Sequence, residues 1–202
     1  MKDTIALLYI DDRPETSLSK YLDQEYSHEK YATQYADVLF KPQDGYESLL
    51  KNSKVKAADV IFIDSRLFEN RTAVQRKFTG EEFKFVLKKI SPYKEVIVIT
   101  QNGVDGEIDM VAKYDSSSGK TSTEYYNEHL KDKIDKAITN IEQYWLLLER
   151  MNENDSWDTV LKDKVIATLN GNDAYDELTK TDIDTLVVAF KQIQEKINGW
   201  RL

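Results

Sequence analysis

Ala58-Asp59-Val60-Ile61-Phe62-Ile63-Asp64 is a short apolar run that ends on a carboxylate. Its consecutive large apolar side chains leave no polar face for solvent. The run therefore reads as a strand covered on both sides, the kind found in a parallel sheet with helices on each side. Open α/β sheets place their chemistry at the carboxyl edge of such strands, and Asp64 falls there. Ile5 to Ile10 repeats the pattern and stops at Asp11-Asp12. Two strands thus aim three carboxylates at one edge.

Outward from this stretch, strand and helix signals alternate. After Asp11-Asp12-Arg13, Pro14 suits a helix start, and Leu18, Tyr21, Leu22 and Tyr26 follow at helical spacing. Tyr31 to Tyr35 fits a second strand, which Ala36 to Gln43 either extends or leaves as a loop. Asp44 to Leu50 reads as a turn into a second helix. Ser65 to Thr79 exceeds the usual strand-to-helix loop. Gly80 to Ile90 carries Phe83, Val86, Leu87 and Ile90 on one helical face, and Glu95 to Thr100 is a fourth strand. Met110 to Tyr114 fits a fifth strand, although Val104, Ile108 and Val111 also fit one side of a helix. Asp115 to Lys120 is a loop, and Thr123 to about Arg150 carries a long helical stripe.

The remaining residues form a different kind of segment. Asn152 to Asp155 is a polar break, and Ser156 can cap a helix. Thr181 or Asp182 begins a last helix with Ile183, Leu186, Val187, Phe190, Ile193 and Ile197. The expected organisation is an α/β domain over 1–150, doubly wound around a parallel sheet, with an all-helical appendage over 151–202 that uses the end of the long helix as its first member. The long stripe ending at Tyr144, Trp145 and Leu148 fits either a homodimer contact or burial within one chain.

Composition narrows the function classes. The chain has 202 residues, 41% apolar and 32% charged, as a soluble globular protein does. With no cysteine, disulfides and thiolate metal sites are excluded. No apolar run approaches membrane-spanning length and Met1 to Thr4 leads straight into a strand, so the expected location is the cytoplasm, with no membrane partner. The formal charge of −8, with ten acidic against six basic residues over 151–202, disfavours DNA binding.

Three carboxylates at one edge repel one another unless a cation lies between them, and a hard ion such as Mg²⁺ accepts carboxylates, water and a backbone carbonyl. A carboxylate beside such an ion can attack phosphorus while nearby cations neutralise the developing oxygen charge. Asp64, Thr100 and Lys113 then supply a nucleophile, a hydroxyl and a cation from three strand ends, with Lys120 as an alternative cation. Each residue alone has an ordinary explanation, since aspartate commonly ends strands by capping turns. His28 and His129 read as exposed bystanders on helix flanks.

These residues resemble the receiver domain of bacterial two-component response regulators over 1–150. Leu8-Tyr9-Ile10-Asp11-Asp12 is similar to that family's acidic metal motif, Val60 to Asp64 to its acceptor strand, Asp44 to Leu50 to the opening of its second helix, and Val96 to Thr100 to its fourth strand. The resemblance implies a flavodoxin-like five-stranded sheet of order 2-1-3-4-5. It also implies Mg²⁺ held by Asp11, Asp12, Asp64 and the Arg66 carbonyl, with Asp12 as the more direct ligand, and phosphoryl transfer to Asp64 from a histidine kinase or phosphotransfer protein. Departures leave the phosphate site better preserved than the family's conventional readout. Phe68 stands where the family has proline, Gly80 comes late, Tyr114 replaces a proline after Lys113, and Met110 replaces the aromatic switch residue. Helix four is then shortened or lost.

The expected function is a phosphoacceptor signalling protein with a downstream protein partner, in which the added charge biases the packing of the terminal helices or the 65–79 loop. The alternative is a pseudo-receiver that keeps the sheet and serves only as a protein-interaction module. A Mg²⁺-dependent phosphohydrolase is a third reading, weakened because no second carboxylate closely follows Asp64.

Overall fold

The computed structural model describes residues 3–67, 79–101 and 110–153, together with 166, 183, 184, 186–188, 190 and 191. Five parallel strands form one sheet: β1 (Thr4–Asp11), β2 (Ala32–Leu39), β3 (Val60–Asp64), β4 (Glu95–Thr100) and β5 (Met110–Ala112), in the order β2-β1-β3-β4-β5. This is the doubly wound, flavodoxin-like arrangement expected. Residues 36–39 extend the second strand, and Val111 is paired with Ile99 in β4, so the fifth segment is a strand.

Alternation along the strands divides the core into two layers. Ile5, Leu7 and Tyr9 of β1 join Val60 and Phe62 of β3 on one face. Leu8 and Ile10 join Ile61 and Ile63 on the other. The first face is covered by α1 (Thr16–Lys20), which widens into a π-helical turn over Tyr21–Glu25, and by the long carboxyl-terminal helical stretch. The second is covered by α2 (Tyr46–Lys51), α3 (Ser53–Ala57) and α4 (Gly80–Ile90).

The helices differ from the sequence expectation in local ways. The second helical region breaks at Asn52, whose side chain accepts from the Lys54 N–H at 2.9 Å and caps α3. The long stripe is two helices, α5 (Ser122–His129) and α6 (Lys131–Glu153), separated at the buried Leu130. A capping box fixes the start of α5: the Thr121 hydroxyl accepts from the Glu124 N–H, and the Glu124 carboxylate accepts from the Thr121 N–H. Ile134, Ala137, Ile138 and Ile141 of α6 are buried on the sheet, whereas Leu146 and Leu147 further along are exposed. Among the described residues no helix is long and apolar enough to cross a membrane. The expected shortening of helix four, the 68–78 part of the insertion and the helix capped by Ser156 lie outside the described residues.

At the carboxyl edge the backbone is tightly crowded. A Cβ placed on Gly80, the first residue of α4, would stand 2.5 Å from the Asp64 carbonyl oxygen. Real Cβ atoms do not tolerate such a distance, so glycine is what lets α4 start against the strand that ends at Asp64. Gly80→Ala is expected to destabilise the protein by about 1–3 kcal/mol, the strain outweighing alanine's better helix propensity. Urea denaturation checks this, and an unchanged midpoint would show that the two segments can separate freely.

Candidate functional site

The strand register creates the site. Tyr9 faces Phe62 and Ile10 faces Ile63 across β1 and β3, so the next step along both strands brings Asp11 beside Asp64. Asp64 pairs in register with Ile99 of β4, and Thr100 follows at that strand's end. Carboxylate oxygens of Asp11, Asp12 and Asp64 lie within 4.8 Å of one another. Like charges at that separation repel by about 3 kcal/mol per pair at an effective dielectric near 20, enough to demand a compensating cation.

Lys113 supplies one. It follows β5 directly, and its Nζ lies 2.8 Å from Asp11 Oδ2 and 2.8 Å from Asp64 Oδ1. Lys120 pairs instead with Glu128, so of the two lysines it is Lys113 that meets the acidic cluster. Burial works against the Lys113 charge, but its hydrogen bonds and charge attraction to Asp11 and Asp64 together hold the ammonium's pKa above its ordinary value. Asp64 shows the opposite balance. Burial, with the Asp11 charge, raises its pKa despite the opposing Lys113 bond and charge and the Arg66 N–H.

The acidic pair divides its labour. Asp11 is fully buried and Asp12 half-buried. Asp11 Oδ2 accepts from the Tyr9 hydroxyl and from Lys113, and Oδ1 accepts from the Arg13 N–H at 2.8 Å. Most of its acceptor capacity is therefore committed. Asp12 is raised in pKa, first by burial, then by its contact with Asp11 and by the charges of Asp11 and Asp64. It is the carboxylate left asking for a cation. Asp64 Oδ2 accepts from the Arg66 N–H at 2.9 Å, so the turn after β3 folds back on the carboxylate and holds Arg66 next to it. An all-oxygen donor set with negative charge exceeding the single ammonium fits a hard divalent ion.

The sequence reading missed Tyr9, Glu15 and Tyr126, which close a hydrogen-bond circuit around Lys113. Tyr9 donates to Asp11 and accepts from the Glu15 N–H at 3.4 Å. Tyr126 of α5 donates to Glu15 Oε2 at 2.9 Å and accepts from the Tyr114 N–H at 3.1 Å. Tyr114 adjoins Lys113, whose ammonium returns the circuit to Asp11. Tyr9 and Tyr126 are both fully buried. The signal available in the sequence was a tyrosine at an inward strand position, where a purely apolar side chain would serve packing better. The histidines stand apart: His28 lies in the loop before β2, accepting from the Lys30 and Tyr31 N–H groups, and His129 ends α5 against the Tyr125 ring.

Two outcomes follow from this geometry. Because the folded pKa of Asp12 is raised, its ionised form opposes folding at neutral pH, and the penalty vanishes as pH falls below its unfolded value. Asp12→Asn is expected to stabilise the metal-free protein by about 0.5–1 kcal/mol near neutral pH, after allowance for solvent screening, with no gain near pH ~3. Urea titrations in chelator across pH test that sign. Tyr126→Phe removes a partner shared by Glu15 and the Tyr114 N–H and is expected to cost about 1–3 kcal/mol. Its effect should shrink in a Lys113→Met background if the circuit acts as one unit.

No protein-family model matches the sequence and no curated protein matches it.

Proposed function

We propose that the protein is a receiver-like phosphoacceptor, taking a phosphoryl group onto Asp64 from a phosphohistidine on a histidine kinase or phosphotransfer protein. The observation that carries this reading is the Lys113 ammonium bridging Asp11 and Asp64 at 2.8 Å each. The bridge brings a nucleophile and the cation its phosphorylated form needs together at one strand edge. In the reaction an Asp64 carboxylate oxygen forms a bond to phosphorus as the phosphorus–nitrogen bond breaks, and that electron pair stays on the donor imidazole. Lys113 follows the charge from the carboxylate to the phosphoryl oxygens, and the Thr100 hydroxyl lies at the adjoining strand end as a donor to them. Asp11, Asp12 and Asp64, with the Arg66 carbonyl, would hold Mg²⁺, Asp12 being the more direct ligand and Asp11 also tied to Tyr9 and Lys113. When bound, that ion supplies neutralisation of the transferring group. Water attack on the acyl phosphate returns the resting state, so turnover is limited to self-phosphorylation and slow dephosphorylation.

The test is intact mass after incubation with acetyl phosphate and Mg²⁺, beside Asp64→Asn. A single adduct of about 80 Da, absent from the variant and from the chelated sample, is the expected result. Failure to form it in Mg²⁺ would overturn the phosphoacceptor reading and favour a pseudo-receiver whose Lys113 bridge is a permanent structural tie.

A further inference from the structure

The outward side of α4 is covered by described residues between 183 and 191. Val86 is fully buried although it belongs to neither sheet layer, because Ile183 and Val187 close over it with Tyr46, Leu50, Ile90 and Leu186 around them. The Phe85 and Phe190 rings lie 4.9 Å apart. Lys191 Nζ stands 3.1 Å from Glu82 Oε1, whose side chain is only 6% exposed, and Tyr46 donates to the other Glu82 oxygen. Ile183, Val187 and Lys191 are four residues apart and share one helical face, while Val188 beside them is exposed. Apolar contact fixes the position of this helix, and the lysine fixes its register over a carboxylate that burial makes costly to leave unpaired.

This interface adjoins the acidic edge. Glu82 lies in the first turn of α4, its N–H capped by the Thr79 hydroxyl at 3.1 Å. The helix opens at Gly80, whose N–H donates to the Ser65 carbonyl at 3.3 Å and whose Cα backs onto the Asp64 carbonyl. Asp64 and the Lys191 partner are thus joined through one turn of rigid helix. Negative charge added at Asp64 deepens the potential around Glu82, makes an unpaired Glu82 costlier, and strengthens its attraction for Lys191.

We propose that the α2–α4 face is the output surface of the protein, that the helical residues 183, 184, 186–188, 190 and 191 are its resident ligand in cis, and that phosphorylation of Asp64 tightens this docking. The chemistry of the surface selects an amphipathic helix with apolar residues four apart and a lysine one turn further on. A partner helix of that pattern gains access to it in the unphosphorylated state. The docking stands on the contacts alone, and the tightening rests on the phosphoacceptor reading given above.

Hydrogen exchange on the full chain separates the two. Val187→Asp should speed exchange across 183–191 and the outer side of α4, and an unchanged pattern would overturn the docking. With acetyl phosphate and Mg²⁺, and with the adduct followed by intact mass in the same sample, exchange of the 183–191 peptide should slow by at least about fivefold relative to Mg²⁺ alone. An adduct with unchanged or faster exchange would overturn the tightening. Absence of an adduct would sink the phosphoacceptor reading and the tightening with it, leaving docking to be decided by Val187→Asp. Lys191→Gln should remain docked through its apolar contacts but lose the phosphorylation response; a full response in that variant would overturn the role of the Glu82–Lys191 pair.

Discussion

A single ammonium group reconciles the strand ends. Parallel pairing in the order β1-β3-β4-β5 sets Asp11 and Asp64 on neighbouring strands, while Lys113 leaves a strand two places beyond Asp64. With strands about 4.8 Å apart, the lysine must extend across the end of β4 to reach them. A shorter cation-bearing side chain would not span that distance, and a sheet without it would bring carboxylates together with only repulsion between them. The short β5 is therefore more than an edge strand. Pairing of Val111 with Ile99, and the bond from the Lys113 N–H to the Thr100 carbonyl at 2.7 Å, fix the root of the side chain that holds the site together.

Most of the architecture was legible because buried parallel strands announce themselves. The apolar runs at Ile5–Ile10, Ala58–Ile63 and Glu95–Thr100 have no polar face to assign elsewhere, and each ends in a side chain suited to a turn or a site. What stayed ambiguous had mixed physics. The β2 strand lies at the sheet edge and alternates between exposed and half-buried positions, so its extension to Leu39 resembled a polar loop. Leu130 fits the helical stripe and is buried with it, yet it interrupts the helix; periodicity reports which side is apolar and says little about a local break in hydrogen bonding.

The site was legible to a different depth. Asp11, Asp12, Asp64 and Lys113 could be placed from strand ends because period and topology bring strand ends together. Tyr9, Glu15 and Tyr126 could not, since their roles depend on hydroxyl directions and on a contact between residues more than a hundred positions apart. The choice between Lys113 and Lys120 was likewise one of reach. Lys120 sits beyond the Ser116–Ser118 turn beside Glu128, where a nearby exposed acid captures it. Composition cannot reveal such competition, because it depends on which acid each side chain reaches in space.

Physical connections leave the acidic edge on both faces of the sheet. On one face, any displacement of Lys113 toward a new anion must stretch its bond to Asp11 or carry Asp11 along, disturbing Tyr9. The neighbouring Tyr114 N–H ties the same displacement to Tyr126 in α5. On the other face, Asp64 bears on Gly80, where a close backbone contact admits little compression before α4 must shift as a unit. One route runs through hydrogen bonds that can be exchanged; the other runs through steric contact and charge. They differ in range for that reason. The hydrogen-bond circuit ends within buried aromatic packing around Tyr21 and Tyr126, whereas the α4 route reaches the partly exposed Lys191 and therefore the surface where another molecule can compete.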